Sequence, residues 1–266
     1  MKIWANTIVQ NEENFVWFAL MSVINYVDKI LVWDSGSTDK TVEIIKTINS
    51  EKIMFKEVGE VDPEEFTKMR QKMLLESDCD WILILDGDEI WWEESIKKLV
   101  REIKNKQSFS TNKNTEGIVV PMKVPVGDIY HIQEEEAGKY KILGKTGHFS
   151  LKAFNKNIPG LHADWPYGKE GFFDGEGKLI QEREKIVFVD APFLHVTHLK
   201  RSNSKRIYNK FKYELGDEVG VGFKFPEALY SDYPKIISSP WARISGAKLL
   251  KAKILTPLRK IKRAVV

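Results

Sequence analysis

The stretch WILILDGDEIWW, residues 81–92, is the starting point for the fold class. In it, a predicted apolar strand ends abruptly at a group of acidic residues. Its first five residues are apolar, and Asp86, Asp88 and Glu89 follow before the chain returns to apolar side chains. Buried carboxylates are costly unless they are paired or bind a metal. The stretch therefore predicts either a cation site at the end of a strand or acids that face water.

Outward from this stretch, the first hundred residues alternate between strand-length apolar runs and runs with apolar side chains three and four residues apart. This alternation predicts an α/β fold with a parallel sheet that helices cover on both faces. Ligands of such sheets bind at the carboxyl ends of the strands, where Asp34 and Asp86 both lie. The predicted strands are residues 2–9, 29–33, 52–58 and 81–85, and the predicted helices are residues 12–27, 37–49, 63–77 and 93–106.

The rhythm changes beyond a polar, turn-rich linker at residues 108–117. Short strands joined by glycine-rich loops follow, then one more helix and a basic tail at residues 234–266. Pro240 and Pro257 interrupt the helical pattern of that tail. The later strands are predicted at residues 117–126, 140–144, 148–154 and 186–196, and the helix at residues 201–215.

Composition excludes several classes of protein. The 266 residues are 42% hydrophobic and 11% aromatic, which suits one large domain and not a disordered chain. The only cysteine, Cys79, excludes an internal disulfide and a thiolate zinc cluster, and it favours a reducing, cytoplasmic setting. The first residues have too short an apolar run for a signal peptide, and no apolar run is long enough to predict a membrane-spanning helix.

Charge is distributed unevenly along the chain. The formal net charge is +3, yet residues 233–266 hold nine lysines and arginines and no acid, which leaves −6 for residues 1–232. An acidic body and a basic tail indicate two different partners. The tail mixes its basic residues with leucines and isoleucines, as helices that lie on anionic membranes do. Nucleic-acid binding competes with this interpretation, but aromatic residues are lacking after Trp241. A helix packed on its own domain is the plain alternative.

The acidic turn has two interpretations that rest on its own residues. In one, Asp86 and Asp88 flank Gly87 in an ordinary acid–glycine turn. In the other, the strand carries the nucleophile of a haloacid dehalogenase phosphatase, whose strand ends in hhhhDxDGT. Glu89 and Ile90 stand where that class has glycine and threonine, so the phosphatase interpretation is disfavoured.

Four stretches, in this order, resemble the nucleotide-binding half of family 2 glycosyltransferases with the GT-A fold. The resemblance covers residues 3–92 well and the rest loosely, and it makes LDGDE the family's DxD motif. It implies a Rossmann-like, mostly parallel sheet flanked by helices, with a mixed acceptor-side half. The implied domain is residues 1–232, divided into a nucleotide-binding half (1–107) and an acceptor half (108–232), and a basic amphipathic tail (233–266) follows. The four stretches are IVQNEEN (8–14), VWDSGSTDKTVEII (32–45), FTKMRQKML (66–74) and WILILDGDE (81–89).

The resemblance implies a donor site for a nucleoside diphosphate sugar. The departing diphosphate is negatively charged, and a divalent cation stabilises it without proton transfer. Asp88 would bind the metal, and Asp86 would contact the ribose or the metal through water. Oxygen ligands and phosphates suit Mn²⁺ or Mg²⁺. Asp34 matches the acid that accepts the N3 hydrogen of uracil, which implies a UDP-linked donor. The other implied nucleotide-binding residues are Val9, Gln10, Asn11, Glu12, Arg70 and Gly87.

Plain alternatives exist for three of these residues. Asp34 can simply open a turn through Ser35 and Gly36. Glu12 can simply supply favourable charge at a helix N-terminus. Arg70 can be an exposed helical arginine.

The acceptor half offers candidates for the base that takes the proton of the attacking hydroxyl in an inverting transfer. The stretch FNKNIPGLHADWPYGKEG (154–171) resembles a family segment that ends in a loop of His-x-acid character, with Ala163 where the family usually has glutamate. Asp164 is the first candidate, Glu170 the second and Asp174 the third. Nearby aromatic residues either stack on sugar faces or cover the core; they are Trp165, Tyr167, Phe172 and Phe173.

The stretch FLHVTHLKRS (193–202) offers a further metal ligand and a diphosphate contact. Some GT-A enzymes complete the metal shell with a histidine from this region, and His198 is preferred over His195 because it lies nearer the strand end. Lys200 or Arg201 would hold the departing diphosphate.

Together these features predict a metal-dependent, inverting glycosyltransferase. It would move a sugar from a UDP-linked donor to a hydroxyl of a glycan or glycolipid such as a cell-envelope polysaccharide, at the cytoplasmic face of a membrane. A sugar nucleotidyltransferase is one rival, but it needs a glycine-rich, basic loop after the first strand, and IVQNEEN has neither feature. The other rival is a binding module that keeps the fold without catalysis. No nucleic-acid partner is expected.

Overall fold

The first hundred residues form alternating strands and helices, as their sequence pattern predicts. A computed structural model describes residues 1–104, 115–166, 168–199 and 214–265. The strands of this part are β1 (Ile3–Val9), β2 (Lys29–Asp34), β3 (Ile53–Glu57), β4 (Trp81–Ile84) and β5 (Glu89–Trp91), and the helices are α1 (Val16–Val23), α2 (Thr41–Lys46), α3 (Pro63–Glu76) and α4 (Glu93–Lys104).

The remaining described residues form short strands and one long helix. Brief 3-10 helices occur at Glu135–Ala137, Ile180–Glu182 and Glu227–Tyr230. The strands are β6 (Gly117–Lys123), β7 (His131–Ile132), β8 (Tyr140–Ile142), β9 (Lys145–Gly147), β10 (Phe149–Asn155), β11 (His162–Asp164), β12 (Gly171–Phe173), β13 (Ile186–Phe188), β14 (Phe193–His195) and β15 (Asp217–Glu218), and the helix is α5 (Gly246–Val265).

Among the described residues, nine strands form one mixed, mostly parallel sheet in the order β3-β2-β1-β4-β10-β6-β14-β5, with β13 also on β6. Strands β1 to β4 pair in parallel, whereas β10 runs antiparallel to both β4 and β6. Strand β5 follows β4 after a four-residue turn, yet it pairs with β14 at the far end of this order. The part of the sheet between β4 and β5 must therefore curl so that the short turn can span it.

The faces of β1 and β2 bury alternate side chains against different helices. Ala5 and Val32 belong to the main core with α1, α2 and α4, while Ile8 and Trp33 pack against α3. This period of two is what a sheet covered on both faces requires. Helix α3 starts sharply because Asp62 accepts hydrogen bonds from the backbone N–H groups of the first turn in a capping box.

The structure confirms the predicted α/β class, but several elements differ from their sequence predictions. Helix α1 ends at Val23, before residue 27, and it begins later than residue 12 because Asn11 has a positive φ of 56° and residues 13–15 form a turn. The predicted strand at residues 186–196 is split into β13 and β14, and β5 was not predicted at all. Pro257 lies inside α5 and does not end it. The predicted helix at residues 201–215 and the linker at residues 108–117 fall largely outside the described residues.

No helix in the part of the chain that the structure describes is long and apolar enough to cross a membrane.

Candidate active site

The carboxyl ends of β1 and β4 lie side by side at the point where the strand order reverses direction. From β1 the chain proceeds through α1 to β2 on one side, whereas β4 lies on the other side. Ligands of open α/β sheets bind in the crevice at such a switch point. The two ends touch, because a Cβ added to Gly87 would lie 3.0 Å from Val9 Cγ1 and 3.0 Å from Glu12 Cγ. Only glycine fits there without a shift of these side chains.

The loop after β1 is held against the loop after β2 by side-chain hydrogen bonds. Gln10 Nε2 donates to the carbonyl of Ser35 at 2.9 Å. Asn11 Oδ1 accepts from the backbone N–H of Thr38 at 2.8 Å. The backbone N–H of Glu12 donates to Thr41 Oγ1 at 2.7 Å. These contacts give the predicted nucleotide-binding loop a fixed shape.

Asp34, at the end of β2, has one satisfied carboxylate oxygen and one unsatisfied oxygen. Only 3% of the residue is exposed. Its Oδ2 accepts hydrogen bonds from the backbone N–H groups of Gly36 at 3.1 Å and Ser37 at 2.9 Å. Its Oδ1 is buried and accepts no hydrogen bond from any residue that the structure describes. A buried acceptor left in this state is unfavourable by about 1–3 kcal/mol, which a donor on a ligand would relieve.

The acid turn between β4 and β5 is closed by reciprocal hydrogen bonds. The backbone N–H of Asp86 donates to Glu89 Oε2 at 3.2 Å, and the N–H of Glu89 donates to the Asp86 carbonyl at 3.1 Å. The N–H of Val196, just after β14, donates to the Asp88 carbonyl at 3.0 Å. The turn therefore presents its aspartates from a backbone that is fixed at three points.

The two aspartates of the turn differ in exposure and in neighbours. The Asp88 side chain is buried, and its Oδ2 lies 3.4 Å from Nε2 of His195. The Asp86 side chain is 39% exposed, and its Oδ1 lies 3.7 Å from an Nη atom of Arg70 on α3. Each acid thus lies near a cationic or potentially cationic side chain that does not come from the turn itself.

A divalent cation fits this arrangement only if a ligand supplies part of its shell. Among the residues that are described, no group of three acidic, histidine or cysteine side chains is close enough to enclose a metal ion. Mg²⁺ commonly binds through one or two carboxylates together with substrate phosphates. The carboxylates of Asp86 and Asp88, with the imidazole of His195 beside Asp88, match that incomplete type of site.

A buried ion pair lies directly beneath the turn. Lys152 Nζ is 2.6 Å from both carboxylate oxygens of Glu89, and both side chains are almost fully buried. Burial raises the pKa of Glu89, and the Lys152 ammonium opposes that shift. Sequence reasoning missed this pair. Its signal was a lone lysine inside the apolar strand HFSLKAF.

The hairpin of β11 and β12 is attached to α3, the helix that carries Arg70. Gln71 Oε1 accepts from the backbone N–H of Ala163 at 2.8 Å, and Thr67 Oγ1 donates to the carbonyl of Trp165 at 2.5 Å. Side chains three and four residues apart share one face of a helix. The same face of α3 therefore contacts both the acid turn and the hairpin.

The three candidate bases have different surroundings. Asp164 is exposed, and its Oδ1 accepts the N–H of Trp165 at 2.7 Å. Glu170 is half-buried and accepts the N–H of Gly168 within the same loop. Asp174 is buried and bonded to Arg183 and to backbone N–H groups, so its carboxylate serves the loop and is not open to an acceptor.

The aromatic residues of the hairpin divide into core and surface. Phe173 is buried, and Phe172 packs on Phe154 with ring centroids 4.6 Å apart, so these two cover the core. Trp165 is 48% exposed and has a positive φ of 68°, which is unusual for a bulky residue. Tyr167, Lys200 and Arg201 lie outside the described residues, and His198 lies in a turn just after β14.

A family model identifies the family of the chain, and its relatives are named glycosyltransferases. The model of glycosyl transferase family 2 matches residues 7–154, more than half of the chain. An uncharacterised glycosyltransferase of Rickettsia typhi is 39% identical over 90 residues, which is 33% of this chain and 28% of that protein. The prophage-derived glycosyltransferase SunS of Bacillus subtilis is 31% identical over 161 residues, 59% of this chain and 36% of SunS. The chain thus spans only about a third of the length of these relatives.

A solved structure gives the same fold. The S. aureus TarS fragment 1–349 in complex with UDP-GlcNAc is 14% identical and superposes with a TM-score of 0.50, covering 78% of this chain and 62% of that one. At this identity the likeness concerns the fold alone. It confirms the predicted GT-A architecture.

Proposed function

The chain belongs to glycosyl transferase family 2, and from this premise we propose that it transfers a sugar from UDP to a hydroxyl of a glycan or glycolipid, with inversion. The observation that carries the proposal is the buried, unsatisfied Oδ1 of Asp34 beside the switch point. Val9 pairs with Asp34 across β1 and β2 and contacts Gly87 of the acid turn, so one ligand can reach both acids. A uracil whose N3–H donates to Asp34 would extend its diphosphate toward Asp86 and Asp88.

The donor would be held by residues of the switch point. Val9, Gln10, Asn11 and Glu12 would line the base and ribose, and Arg70 would lie beside the phosphates. Asp88 and Asp86, with His198 or His195, would hold Mn²⁺ or Mg²⁺. The bound cation would neutralise the charge that appears on the diphosphate as the sugar leaves. Lys200 and Arg201 are proposed to contact the same diphosphate.

The acceptor would approach from the hairpin side. Its hydroxyl oxygen forms a bond to the anomeric carbon while the bond from that carbon to the diphosphate breaks, and the hydroxyl proton passes to a carboxylate. Asp164 is the first candidate for this base because it is exposed and its hairpin is attached to the helix of Arg70. Glu170 is the second. A solvent-accessible carboxylate suits a base that must receive a proton from a large acceptor.

The test of the donor proposal reverses the hydrogen-bonding character of Asp34. In Asp34→Asn, the amide oxygen can still accept the hydrogen bonds from the backbone N–H groups of Gly36 and Ser37. The NH₂ group then takes the place of Oδ1 and points toward the base. Uracil offers a donor at N3 and would be rejected, whereas cytosine offers an acceptor there. We expect UDP affinity to fall and CDP affinity to rise in calorimetric titrations with Mn²⁺. Equal losses for both nucleotides, or no change, would contradict a contact between Asp34 and N3.

The membrane partner is proposed from the exposed face of α5. Its inner face is anchored to the body, because Lys260 Nζ lies 2.8 Å from Asp217 and Arg263 pairs with Glu134 and Glu214. The outward face carries an apolar stripe whose residues are each 59–63% exposed, and exposed lysines flank it. This combination suits an anionic lipid surface, which would bring the enzyme to a lipid-linked acceptor. The stripe is Leu250, Ile254, Leu258 and Ile261.

Vesicle sedimentation tests this membrane contact. We expect the protein to bind vesicles of phosphatidylcholine mixed with phosphatidylglycerol more strongly than pure phosphatidylcholine, and to release them at high salt. Ile254→Gln combined with Leu258→Gln should abolish binding, whereas Leu75→Gln, which changes a leucine on α3 that is 70% exposed, should not. Equal binding by both variants would show that α5 does not meet the membrane.

A further inference from the structure

The pair of Glu89 and Lys152 joins two strands that are not neighbours in the sheet. Glu89 begins β5, while Lys152 lies on β10, and β6 and β14 separate them in the strand order. Their side chains meet because the sheet curls, with Nζ 2.6 Å from both carboxylate oxygens. Lys152 also lies 4.9 Å from the ring centroid of Phe193, the partner of Trp91 across β14 and β5. The pair therefore ties together the first and last strands of the β10-β6-β14-β5 part of the sheet.

Lys152 reaches this position through an irregularity in β10. Leu151 pairs with Val119 and Ala153 pairs with Ile118, so Lys152 is an extra residue with no partner of its own on β6. Such bulges redirect a side chain and are frequent next to active sites. Here the redirected side chain is a lysine, which is rarely buried unless it is paired.

Glu89 also forms hydrogen bonds with the backbone of the acid turn. Its Oε2 accepts the backbone N–H of Asp86, and its own N–H donates to the Asp86 carbonyl. Asp88 lies between these two residues in the chain. The orientation of both aspartates thus depends on where the Glu89 carboxylate is held.

We propose, on the basis of the proposed metal-dependent function, that Lys152 and Glu89 are positioning residues that orient Asp86 and Asp88 for the metal–diphosphate. Neither side chain touches the nucleotide or the cation. They act by holding the backbone of the turn that carries both aspartates. Groups that orient metal ligands in this way typically account for about 10–100-fold in metal affinity.

Removing one partner alone would leave a buried charge uncompensated, so the test uses double variants. Glu89→Leu with Lys152→Met removes the charges and also the acceptor of the Asp86 N–H. Glu89→Gln with Lys152→Met removes the charges and keeps an amide oxygen as acceptor. Lys2→Met with Asp78→Asn is the matched control, since this exposed pair lies at the opposite ends of β1 and β4. For each variant we would measure the melting temperature and the UDP dissociation constant with and without Mn²⁺.

We expect the Leu/Met variant to stay folded. The factor by which Mn²⁺ increases its UDP affinity should be about tenfold smaller than in the unaltered protein. The Gln/Met variant should lose less of this gain, and the control should lose none. UDP affinity without Mn²⁺ should change little in all of them. A folded Leu/Met variant with the full Mn²⁺-dependent gain would overturn the proposal and leave the pair with a structural role only.

If the Leu/Met variant does not fold, the Lys152→Arg variant tests the positioning role instead. It keeps the positive charge but moves it relative to the bulge, so the Mn²⁺-dependent gain should fall several-fold in a folded protein. An unchanged gain would overturn the proposal. If the unaltered protein itself shows no Mn²⁺-dependent gain, the proposed metal-dependent function fails, and the positioning role fails with it.

Discussion

The proposed donor side and the proposed acceptor side both contact α3, yet they are built in different ways. On the donor side, the carboxyl ends of β1, β2 and β4 are fixed by strand pairing and by side chains that bond to backbone N–H groups. On the acceptor side, a hairpin of two three-residue strands carries exposed Asp164 and is tied to α3 by Thr67 and Gln71. The first design suits a ligand of constant shape. The second would allow the proposed acceptor to vary without disturbing the proposed donor site.

The largest expected effect is on the acceptor side. Asp164→Asn should lower transfer by about 10²–10⁴-fold because it removes the base, while UDP binding with Mn²⁺ stays unchanged. Glu170→Gln is the matched control, with a much smaller effect. Steady-state kinetics together with calorimetry check both. If Glu170→Gln shows the large loss and Asp164→Asn does not, the base is Glu170.

A somewhat smaller effect is expected at the buried acid of the donor side. Asp88→Asn should lower turnover by about 10²–10³-fold, because the cation loses its best-fixed carboxylate. Unlike Asp164→Asn, it should also abolish the Mn²⁺-dependent part of UDP binding. Asp86→Asn should cost less, since Asp86 is more exposed. Normal Mn²⁺ dependence in Asp88→Asn would break the assignment of the metal to this turn.

A third effect concerns stability and is expected at Gly87. Its added Cβ in Gly87→Ala would press on Val9 and Glu12, so the free energy of unfolding should fall by about 1–3 kcal/mol and UDP affinity should fall with it. Gly220→Ala is the control, since a Cβ there meets no atom within 4 Å. Denaturant unfolding measures the difference. Equal stability of the two variants would show that β1 and the acid turn are not packed as described.

The smallest effect is a pH dependence on the acceptor side. The backbone N–H of Lys178 is the main cause that lowers the pKa of Asp174, and Arg183 adds to it. Since the pKa is lower in the folded protein, this carboxylate stabilises the fold above the unfolded pKa of about 4 and loses that contribution as the pH falls through the folded pKa. Asp174→Asn should therefore melt earlier than the unaltered protein at pH 7, and the gap should close in acid. A gap that is independent of pH would contradict the bonding of Asp174.

The sequence predicted the first half of the sheet better than the second for a physical reason. Strands β1 to β4 follow from local hydrophobic period, which the sequence displays directly. The ion pair of Glu89 and Lys152 depends on how the sheet curls, and no local pattern encodes that. Strand β5 was missed because its three residues pair with β14, which is about a hundred residues away in the chain.

Two further differences are local and are not visible in the hydrophobic period. The positive φ of Asn11 delays the start of α1, although the apolar pattern begins earlier. Pro257 lies inside α5 and has no N–H to donate to the carbonyl of Lys253, yet the helix continues through it. The preference for His198 over His195 and the choice of Asp164 as base stay predictions.

A crystal structure with UDP and Mn²⁺ tests the central claim most directly. The account predicts an anomalous manganese peak in direct coordination with Asp88, and a uracil N3 within hydrogen-bonding distance of Asp34 Oδ1. A nucleotide bound elsewhere, or a manganese peak remote from residues 86–88, would contradict it.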